Sequence, residues 1–579
     1  MPQITPRLQS PDRYRNLISA NIPPVMARLF AARNIDTPVQ LSTELTHLIG
    51  LDAMQSIDKA AGLLADAISE KQKLLVIADY DADGATACAV AIRGLRAMGA
   101  KVEYLVPNRF EFGYGLTPEI VRLAYERRPD MLITVDNGIA SIDGVAEANR
   151  LGMRVIVTDH HLPGDALPDA AAIVNPNQLG CQFPSKNLAG VGVIFYVLLA
   201  LRSELRQRAF FNSEIPRVPF YRTTASGNQP AEPNLADLLD IIALGTVADV
   251  VKLDDNNRRL VAQGLARIRA GRCCAGIRAL LHVAGRPAER VSTYELGFIL
   301  GPRLNAAGRL DDMSLGIECL ITDNEDHALK IATQLDALNR ERREIEADMQ
   351  ESALTKLDDI DPRENYTLAV FEPDWHQGVI GILASRLKDR FHRPVIAFAR
   401  GSNGTLKGSG RSIPALHLRD ALDLVSKQHP DLIEKFGGHA AAAGLTIPEN
   451  ALPDFTAAFE AVARRLLSPA DLTQIIETDG ELSIDELNMT LATDIQRVVW
   501  GQGFPAPRFE GVFRIENRRI VGEKHLKLQL KYQSHSYNAI IFFEERSPPD
   551  QIRAVYRPDI NEYNGNSTLQ LIIEHWEPA

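Results

Sequence analysis

Short apolar runs alternate with longer amphipathic stretches in the first half of the chain. From Lys73 onward the apolar runs are LLVIA, VEYLV, MLITV and RVIVT. Each run is followed by a stretch whose apolar spacing is compatible with a helix, which is typical of a parallel sheet covered by helices on both faces. The pattern therefore predicts an α/β fold in which four strands are each followed by a helix.

Other patterns flank this α/β region. Residues 1–50 combine helical apolar spacing with several prolines, which predicts a lead-in of short helices. Residues 324–357 contain no Gly or Pro and surround the charged stretch NRERREIE, so we expect one long helix that connects two domains. A second α/β unit is predicted from about Tyr366 to Gly444.

The C-terminal region has the pattern of strands. Apolar residues at positions 526, 528, 530 and 532 alternate with Lys527, Gln529 and Lys531. Because successive side chains of a strand point to opposite faces, this strand has one apolar face and one cationic face. A small β-barrel is the simplest way to close such a region.

Composition and charge narrow the class of protein. A chain of 579 residues is too long for a single hydrophobic core, so we expect three or four domains. The five cysteines form no C-x-x-C pair and no apolar run resembles a signal peptide or a membrane span, which favours a cytoplasmic protein. The formal net charge of -11 argues against indiscriminate binding to nucleic acid but is compatible with a local basic groove.

Three carboxylates follow the first strand of the α/β region. The sequence LLVIADYDADG places Asp79, Asp81 and Asp83 at every second position, where their mutual repulsion favours a bound cation. The same letters match the beginning of an EF-hand calcium loop. That alternative is weakened because Val90 occupies the twelfth position, where a bidentate Glu is needed, and because a strand precedes the motif.

Two more strands of this region end in Asp or His. Ligands of open α/β sheets lie beyond the carboxyl ends of the strands, so these side chains are expected to converge on one crevice. Mixed Asp and His ligands suit Mn²⁺ or a similar divalent ion, and the ligands suffice for two ions acting on a phosphodiester bond. The residues are Asp136 after MLITV, Asp159, His160 and His161 after RVIVT, and a further acid, Asp249, in LGTVADVV.

An ordered series of motifs resembles the DHH phosphoesterase superfamily and, within it, the bacterial RecJ exonucleases. The series is DYDADG, NRFEFGYGL, VDNG, TDHH, GTVADVV, GPRLNAAGRL, LNRERREIE, GSGRS and FGGHAAAAGL, followed by the predicted barrel. The resemblance implies hydrolysis of single-stranded DNA in the 5′→3′ direction with Mn²⁺ or Mg²⁺, in DNA recombination and repair. It also implies a parallel-sheet DHH domain, a connecting helix, a second α/β domain of the DHH-associated type, and a C-terminal OB-fold barrel.

The resemblance assigns roles to individual residues. The residues expected to act in catalysis are Asp136, His160 and His161, of which only His161 is not a metal ligand, while Asp159 would orient a histidine. The expected metal ligands are Asp79, Asp81, Asp83, Asp136, His160 and Asp249. The 5′ phosphate would be held by Arg109, Arg303 or Arg309, Ser409 and Arg411, and further DNA contacts would come from His439, Lys527 and Lys531.

The predicted domains are 1–50 (helical lead-in), 51–320 (DHH catalytic domain), 321–360 (connecting helix), 361–467 (DHH-associated domain) and 468–579 (OB-fold domain). Partners implied by the resemblance are single-stranded DNA, a single-strand-binding protein and a DNA helicase, with no membrane and a monomeric chain. Two alternatives stay open. One is a DHH phosphodiesterase of short oligonucleotides or cyclic dinucleotides, and the other is a catalytically inactive DNA-binding replication factor of the same fold.

Overall fold

The structure, a computed structural model, describes residues 2–107, 115–211, 230–358, 364–522, 525–544, 546–563 and 565–579. The chain forms two compact units. The smaller unit contains residues Met1–Thr5 and Ala337–Ile476, and the larger unit contains Pro6–Asp336 and Glu477–Ala579.

The first sheet of the larger unit is entirely parallel, as the apolar runs predicted. Its strands, in the spatial order β3-β2-β4-β5-β6, are β2 Lys73–Ala78, β3 Lys101–Leu105, β4 Met131–Val135, β5 Arg154–Thr158 and β6 Ala172–Val174. The prediction that a helix follows every strand is wrong for β5, since the next element is β6. The linking segment HHLPGDALPD contains two prolines and a glycine, which interrupt a helix.

Helices cover both faces of this sheet. On one face, helices α5 (Pro118–Glu126) and α6 (Ile142–Arg150) bury their apolar residues against alternate positions of the strands, such as Leu75, Leu132 and Val155. On the other, helices α4 (Ala82–Ala97) and α7 (Gly190–Gln207) contact β2, β4 and β5. The helices that precede the long helix are α1 Pro11–Ser19, α2 Pro24–Ala31, α3 Ile57–Ser69, α4 Ala82–Ala97, α5 Pro118–Glu126, α6 Ile142–Arg150, α7 Gly190–Gln207, α8 Leu239–Ala248, α9 Asp255–Arg269, α10 Ala275–Val283, α11 Gly301–Leu310 and α12 Ser314–Ile321.

The long helix predicted from residues 324–357 is confirmed. Helix α13 runs from Glu325 to Asp358, and the division between the two units falls within it, between Asp336 and Ala337. A helix without Gly or Pro keeps its hydrogen-bond ladder over such a length.

The smaller unit is a second α/β structure with a mixed sheet. Strands β7 and β8 are parallel, and the remaining pairs are antiparallel. In the spatial order β10-β11-β9-β8-β7, the strands are β7 Leu368–Phe371, β8 Val395–Arg400, β9 Thr405–Arg411, β10 Lys435–Gly438 and β11 Ala442–Pro448, and the helices are α14 Ile380–Phe391, α15 Leu418–Gln428 and α16 Leu452–Leu466. Apolar cores lie on both faces of the sheet.

The C-terminal region of the larger unit closes into the predicted barrel. Leu526, Leu528 and Leu530 are buried, while the intervening cations face outward. Arg33, from the N-terminal helices, forms a buried ion pair with Asp479 at 2.8 Å. The barrel strands are β13 Phe509–Val521, β14 His525–Tyr532, β15 His535–Phe542, β16 Gln551–Tyr563 and β17 Asn566–Pro578, preceded by the paired strands β1 Gln3–Pro6 and β12 Ile475–Thr478 and by α17 Met489–Arg497.

Among the residues that the structure describes, no helix has both the length and the apolar character needed to cross a membrane.

Candidate metal centre and anion sites

The carboxyl ends of three neighbouring strands bring the acidic and histidine motifs together. Asp79 follows β2, Asp136 follows β4, and His160 follows β5 by two residues. Because these strands are adjacent and parallel, their carboxyl ends meet at the same edge of the sheet. The common crevice expected from the sequence is therefore present.

Three buried polar atoms converge in this crevice. The Nε2 atom of His160 lies 3.1 Å from Oδ1 of Asp136 and 3.6 Å from Oδ2 of Asp249. Among the described residues, none of these three atoms has a hydrogen-bond partner. A buried polar atom without a partner is costly, and a divalent cation would satisfy all three together. The residues present therefore fit a metal ion.

The donor atoms suffice for more than one ion. Three sets have one donor atom from each residue within 4.8 Å of one another. A carboxylate that belongs to two sets could contact two ions, and Asp136 belongs to two of these sets. The sets are Asp79, Asp81 and Asp136; Asp83, His160 and Asp249; and Asp136, His160 and His161.

The DYDADG turn is held by its own carboxylates. Asp81 is the N-cap of α4, where its side chain accepts hydrogen bonds from the backbone N–H groups of Asp83 (2.9 Å) and Gly84 (3.0 Å). A Cβ on Gly84 would lie 2.5 Å from the carbonyl oxygen of Asp79, so only glycine fits there. Capping thus fixes the turn that presents Asp79 and Asp83.

The N-terminus of α7 holds the Asp83 side chain. The N–H groups of Gly190 and Val191 donate to its two carboxylate oxygens at 2.5 and 2.9 Å. Exposed N–H groups and the helix dipole make a helix N-terminus favourable for negative charge. Gly190 is also the position where a Cβ would come within 2.6 Å of Asp136, so the helix end can approach both carboxylates.

Asp136 adopts a strained backbone. Its φ is +63°, in the left-handed region that non-glycine residues seldom occupy, and its side chain is 1% exposed. The next residue, Asn137, donates from its side-chain amide to the carbonyls of Ile77 and Val135 and so ties together the ends of β2 and β4. Strain of this kind is held at functional sites by the surrounding structure.

The two histidines have different surroundings. Asp159 accepts hydrogen bonds from the ring Nδ1 of His161 at 2.7 Å and from the backbone N–H groups of both histidines. The Asn175 and Asn177 amides donate to the carbonyls of His161 and His160, respectively. Asp159 therefore orients His161, whereas the ring of His160 faces the carboxylates.

Burial and like charge shift the pKa values of the cluster. Burial, reinforced by neighbouring carboxylates, raises the pKa of Asp79, Asp136 and Asp249 well above the ordinary range. For the same reasons the pKa of Asp83 is raised to about 7. A bound cation would stabilise all four charged forms.

The pKa values of the two histidines move in opposite directions. Burial lowers the pKa of His160 to about 4, which leaves a neutral ring suited to metal binding. Burial also opposes the charged form of His161, but its hydrogen bond to Asp159 and the nearby carboxylates raise its pKa to about 9. His161 is thus the better proton donor of the two histidines.

Asp249 reaches the crevice from a helix and not from a strand. It caps the C-terminus of α8, and the next residue, Val250, has a φ of +63°. The sequence pattern identified Asp249 as a candidate acid, but it did not predict that this residue reaches the site from the end of a helix.

Two predicted phosphate-binding residues lie side by side in the smaller unit. Ser409 and Arg411 occupy the same face of β9, and the guanidinium of Arg411 donates to the Ser409 hydroxyl at 3.2 Å. Gly381, in the first turn of α14, packs against both, since a Cβ there would lie 2.9 Å from Ser409 Oγ and 3.0 Å from Arg411 Nη2. Burial lowers the pKa of Arg411, and within the described chain it has no carboxylate partner.

The remaining predicted DNA contacts have varied surroundings. Arg303 is bound to Asp336 at 2.7 Å and to the carbonyl of Ile299 at 2.6 Å, and Arg309 lies near the end of α11. His439 is exposed beside the β10–β11 turn. Arg109 lies outside the described residues.

The two predicted barrel lysines are on the outward face of β14. Lys531 lies 3.6 Å from Glu516. Both lysines are paired across the strands with arginines, Arg519 opposite Lys527 and Arg514 opposite Lys531. Like charges directly opposite one another are unfavourable unless an anion lies between them.

Several supporting residues were not anticipated from sequence. They are Gly190 in LAGVG, the two asparagines of VNPN, and Asn305, whose side chain accepts from the N–H of Ala82 at 2.8 Å. Turn-type residues shortly after a His-rich strand end were a usable signal for the asparagines. Nothing local indicated that Gly190 or Asn305 would meet the acidic turn.

Models of known families match the chain in three places. The DHH family N-terminal domain matches residues 73–246, the DHHA1 domain matches 364–465, and the RecJ OB domain matches 478–575. The fold and the acidic site are those of a DHH-type phosphoesterase that carries an additional OB domain.

Individual relatives make the family specific. The chain is 48% identical to the single-stranded-DNA-specific exonuclease RecJ of Salmonella typhimurium, over 96% of each chain. The crystal structure of RecJ from Thermus thermophilus in complex with Mn²⁺ has a TM-score of 0.81 at 28% identity and covers 100% of this chain and 79% of that one. The Mg²⁺ complex of the same protein has a TM-score of 0.76 at 26% identity and covers 100% and 78%.

The chain belongs to the RecJ family of single-stranded-DNA-specific exonucleases. The family and the fold class expected from the motifs are confirmed, and relatives bound to Mn²⁺ and Mg²⁺ agree with the expected cofactors. A match that extends through the OB domain favours the exonuclease over an enzyme of short oligonucleotides. The same match also favours the exonuclease over an inactive replication factor.

Proposed function

We propose that the protein hydrolyses single-stranded DNA from its 5′ end, one nucleotide at a time, with two divalent cations, Mn²⁺ or Mg²⁺. The observation that carries this proposal is the convergence of three buried, unpartnered ligand atoms from His160, Asp136 and Asp249. Membership of the RecJ family supports the choice of substrate.

The proposed ligands divide into two neighbouring groups. Asp83, His160 and Asp249 would hold one ion, and Asp79, Asp81 and Asp136 would hold the other, with Asp136 near both. When bound, such a pair of ions activates water and stabilises the attacking and leaving oxygens of a phosphodiester displacement. The helix N-terminus at Asp83 and the cap at Asp81 keep the carboxylates in place before any ion arrives.

His161 is the proposed proton-transfer group. Its pKa of about 9 keeps the ring protonated near neutral pH, and Asp159 fixes its orientation through Nδ1. Nε2, the other ring nitrogen, is the proposed donor to the phosphate or to the leaving oxygen. His160, neutral and buried, is suited to binding metal instead.

The proposed 5′-phosphate site uses Arg411, Ser409 and the N-terminus of α14. A half-buried guanidinium without a carboxylate partner among the described residues gains from an anion, and arginine binds phosphate oxygens through two N–H groups. The nearby helix N-terminus adds favourable N–H groups. Arg109, Arg303 or Arg309, and His439 are proposed as further contacts to the strand.

The barrel is proposed as the surface that retains the strand between cleavage steps. The cation pairs along β13 and β14, including Lys527 and Lys531, would follow the DNA backbone. We further propose that the chain acts as a monomer in the cytoplasm and receives DNA with the help of a single-strand-binding protein and a helicase. We also propose that the domain boundaries are those predicted from the sequence.

A product ladder tests the direction and the metal requirement. Single strands labelled at the 5′ or the 3′ end are incubated with and without Mn²⁺. The proposal expects an immediate labelled mononucleotide from the 5′ label and a descending ladder from the 3′ label, with no product when metal is chelated. A ladder from the 5′ label would reverse the assigned direction.

Substrate form gives a second test. We expect fast degradation of a single strand, slow attack on a blunt duplex, and stalling where a 5′ tail meets paired DNA. Comparable rates on blunt duplex and single strand, without a helicase, would contradict specificity for single strands.

A further inference from the structure

Two exposed aromatic rings are stacked on the surface of the larger unit. Tyr294 and Phe298 have ring centroids 5.3 Å apart and an interplanar angle of 27°, and they are 54% and 71% exposed. Single exposed apolar residues are common on protein surfaces and need no explanation. Two stacked rings that are both more than half exposed offer an aromatic surface on which another ring can stack.

The backbone beneath these rings is unusual. Residues Glu295–Leu300 form a π-helical segment that leads directly into α11. Segments of this kind are rare and occur often at functional sites. The segment begins with a fixed turn, because Glu295 accepts hydrogen bonds from both the N–H and the hydroxyl of Ser292 at 2.9 and 2.7 Å. The aromatic pair is therefore carried by an ordered support.

The π-helical segment packs against the end of the helix that carries Asp249. A Cβ on Gly297 would lie 3.2 Å from the Val247 side chain, and one on Gly301 would lie 3.1 Å from Ala248 Cβ. Asp249 is the next residue, and Val250 after it is 62% exposed. The surface bearing the aromatic pair thus adjoins the metal centre.

The same segment also contacts the region of the barrel within the larger unit. The Thr293 hydroxyl donates to the carbonyl of Trp500 at 2.8 Å, and Arg290 forms an ion pair with Glu562 on β16. The aromatic pair is therefore attached on one side to the Asp249 segment and on the other to the barrel. The segment therefore lies between the barrel region and the helix end that carries Asp249.

We propose that Tyr294 and Phe298 form a stacking platform for a base of the single strand, between the barrel and the metal centre. This inference rests on the proposed function and adds a binding site to it. Stacking suits an enzyme that advances by one nucleotide, because every base offers an aromatic face and no sequence is read. Lys252, three residues after Asp249, and Arg286, four residues before Arg290, are exposed cations of the kind that bind a DNA backbone.

The platform holds the strand and takes no part in the chemical step. Its loss raises KM and leaves kcat nearly unchanged, because the ligands and His161 are untouched. A base that stacks on an aromatic side chain gains binding worth about tenfold in affinity or more. The double variant Tyr294→Ala/Phe298→Ala is expected to raise KM on a 20-nucleotide strand by about tenfold, with kcat within about twofold.

Matched variants separate stacking from folding. Tyr294→Phe and Phe298→Trp keep an aromatic ring and are expected to keep the wild-type KM. Tyr125→Ala removes an aromatic residue of similar exposure, 49%, from α5, which packs on the sheet, and serves as the control. Equal thermal unfolding midpoints for the variants and the wild type show that the change in KM comes from the surface.

Strands with one abasic position supply the decisive readout. For the wild type, KM is expected to rise when the missing base lies at one particular distance from the 5′ end, whereas the double variant shows no such position. A KM for the double variant within about twofold of wild type, or an unchanged abasic profile, overturns the platform. Wild-type protein without exonuclease activity would instead overturn the proposed function, so the two failures are distinguishable.

Discussion

The two five-stranded sheets of this protein belong to similar α/β folds but carry side chains of opposite charge. The parallel sheet of the larger unit gathers carboxylates where β2 and β4 end, and α8 adds Asp249. The mixed sheet of the smaller unit presents Ser409 and Arg411 from within one strand, with α14 beginning beside them. The first arrangement suits cations and the second suits an anion. In the parallel sheet the charged side chains therefore lie together at one edge, whereas in the mixed sheet they lie along one face of a single strand.

The protein supports the two groups of charges differently. The carboxylates are held by backbone N–H groups from elements distant in sequence, such as Gly190 and Val191 at Asp83. Arg411 is held by local contacts, the Ser409 hydroxyl and the carbonyl of Gly410. We expect substitutions in the first group to abolish activity and substitutions in the second to weaken binding.

Removing one carboxylate from the cluster tests the first half of this comparison. Asp136→Asn retains shape and tolerates the left-handed backbone at this position. We expect turnover to fall by about a thousandfold, because a ligand between two ions is worth several kcal/mol in the transition state. Steady-state rates on single strands measure the loss, and retention of more than about a tenth of wild-type turnover would contradict the ligand assignment.

The pH dependence of stability tests the same cluster without substrate. The pKa of Asp83 is raised to about 7 in the folded protein, so its contribution to stability is present below its unfolded pKa near 4 and is lost as pH rises through about 7. Metal-free protein should therefore lose roughly 2 kcal/mol between pH 5.5 and pH 8 from this group. Thermal unfolding in chelator, with and without added Mn²⁺, measures the effect.

A matched control accompanies the pH experiment. Asp136→Asn has one fewer repelling charge, so in chelator it should be more stable than wild type at pH 8, although it is inactive. Added Mn²⁺ should stabilise wild type at pH 8 more than at pH 5.5, where protons compete for the ligands. A metal-free wild type whose unfolding midpoint rises from pH 5.5 to pH 8 would contradict a repelling cluster.

Replacing Arg411 tests the proposed anion site of the smaller unit. Arg411→Lys keeps the charge and removes the planar fork, so KM for 5′-phosphorylated strands should rise by about tenfold while kcat changes little. Arg419→Lys, an exposed position on α15 in the same unit, is the control. For strands with a 5′ hydroxyl, the wild type and the variant should have the same KM. An equal rise in KM for both kinds of strand would show that Arg411 does not bind the 5′ phosphate.

The exposed barrel cations should give the smallest effect. Replacing both Lys527 and Lys531 with Ala should weaken binding to long strands by about threefold to tenfold and reduce the salt slope by about one per lysine. Exposed lysines at positions 59 and 101, changed together, provide the control. Equal salt slopes for the variant and the wild type would mean that the backbone does not follow this face.

Several elements could be predicted from local sequence patterns alone. Strands β2 to β5 follow from apolar runs, the helix from Glu325 to Asp358 from the absence of Gly and Pro, and β14 from its alternation of apolar residues with Lys527 and Lys531. The residue types at strand ends gave Asp136, His160 and their neighbours as site candidates. These features depend on a few adjacent residues, so they can be read without knowing the rest of the fold.

The contacts between groups far apart in the chain became visible in the folded structure and not before. It brought the N-terminus of α7 to Asp83, Asp249 from a helix end to His160, and Asn305 to the acidic turn. It also left Arg411 half-buried within the described smaller unit without a carboxylate partner, and placed the aromatic rings of Tyr294 and Phe298 beside the Asp249 segment. Such contacts depend on the packing of elements far apart in the chain, and no local periodicity encodes them.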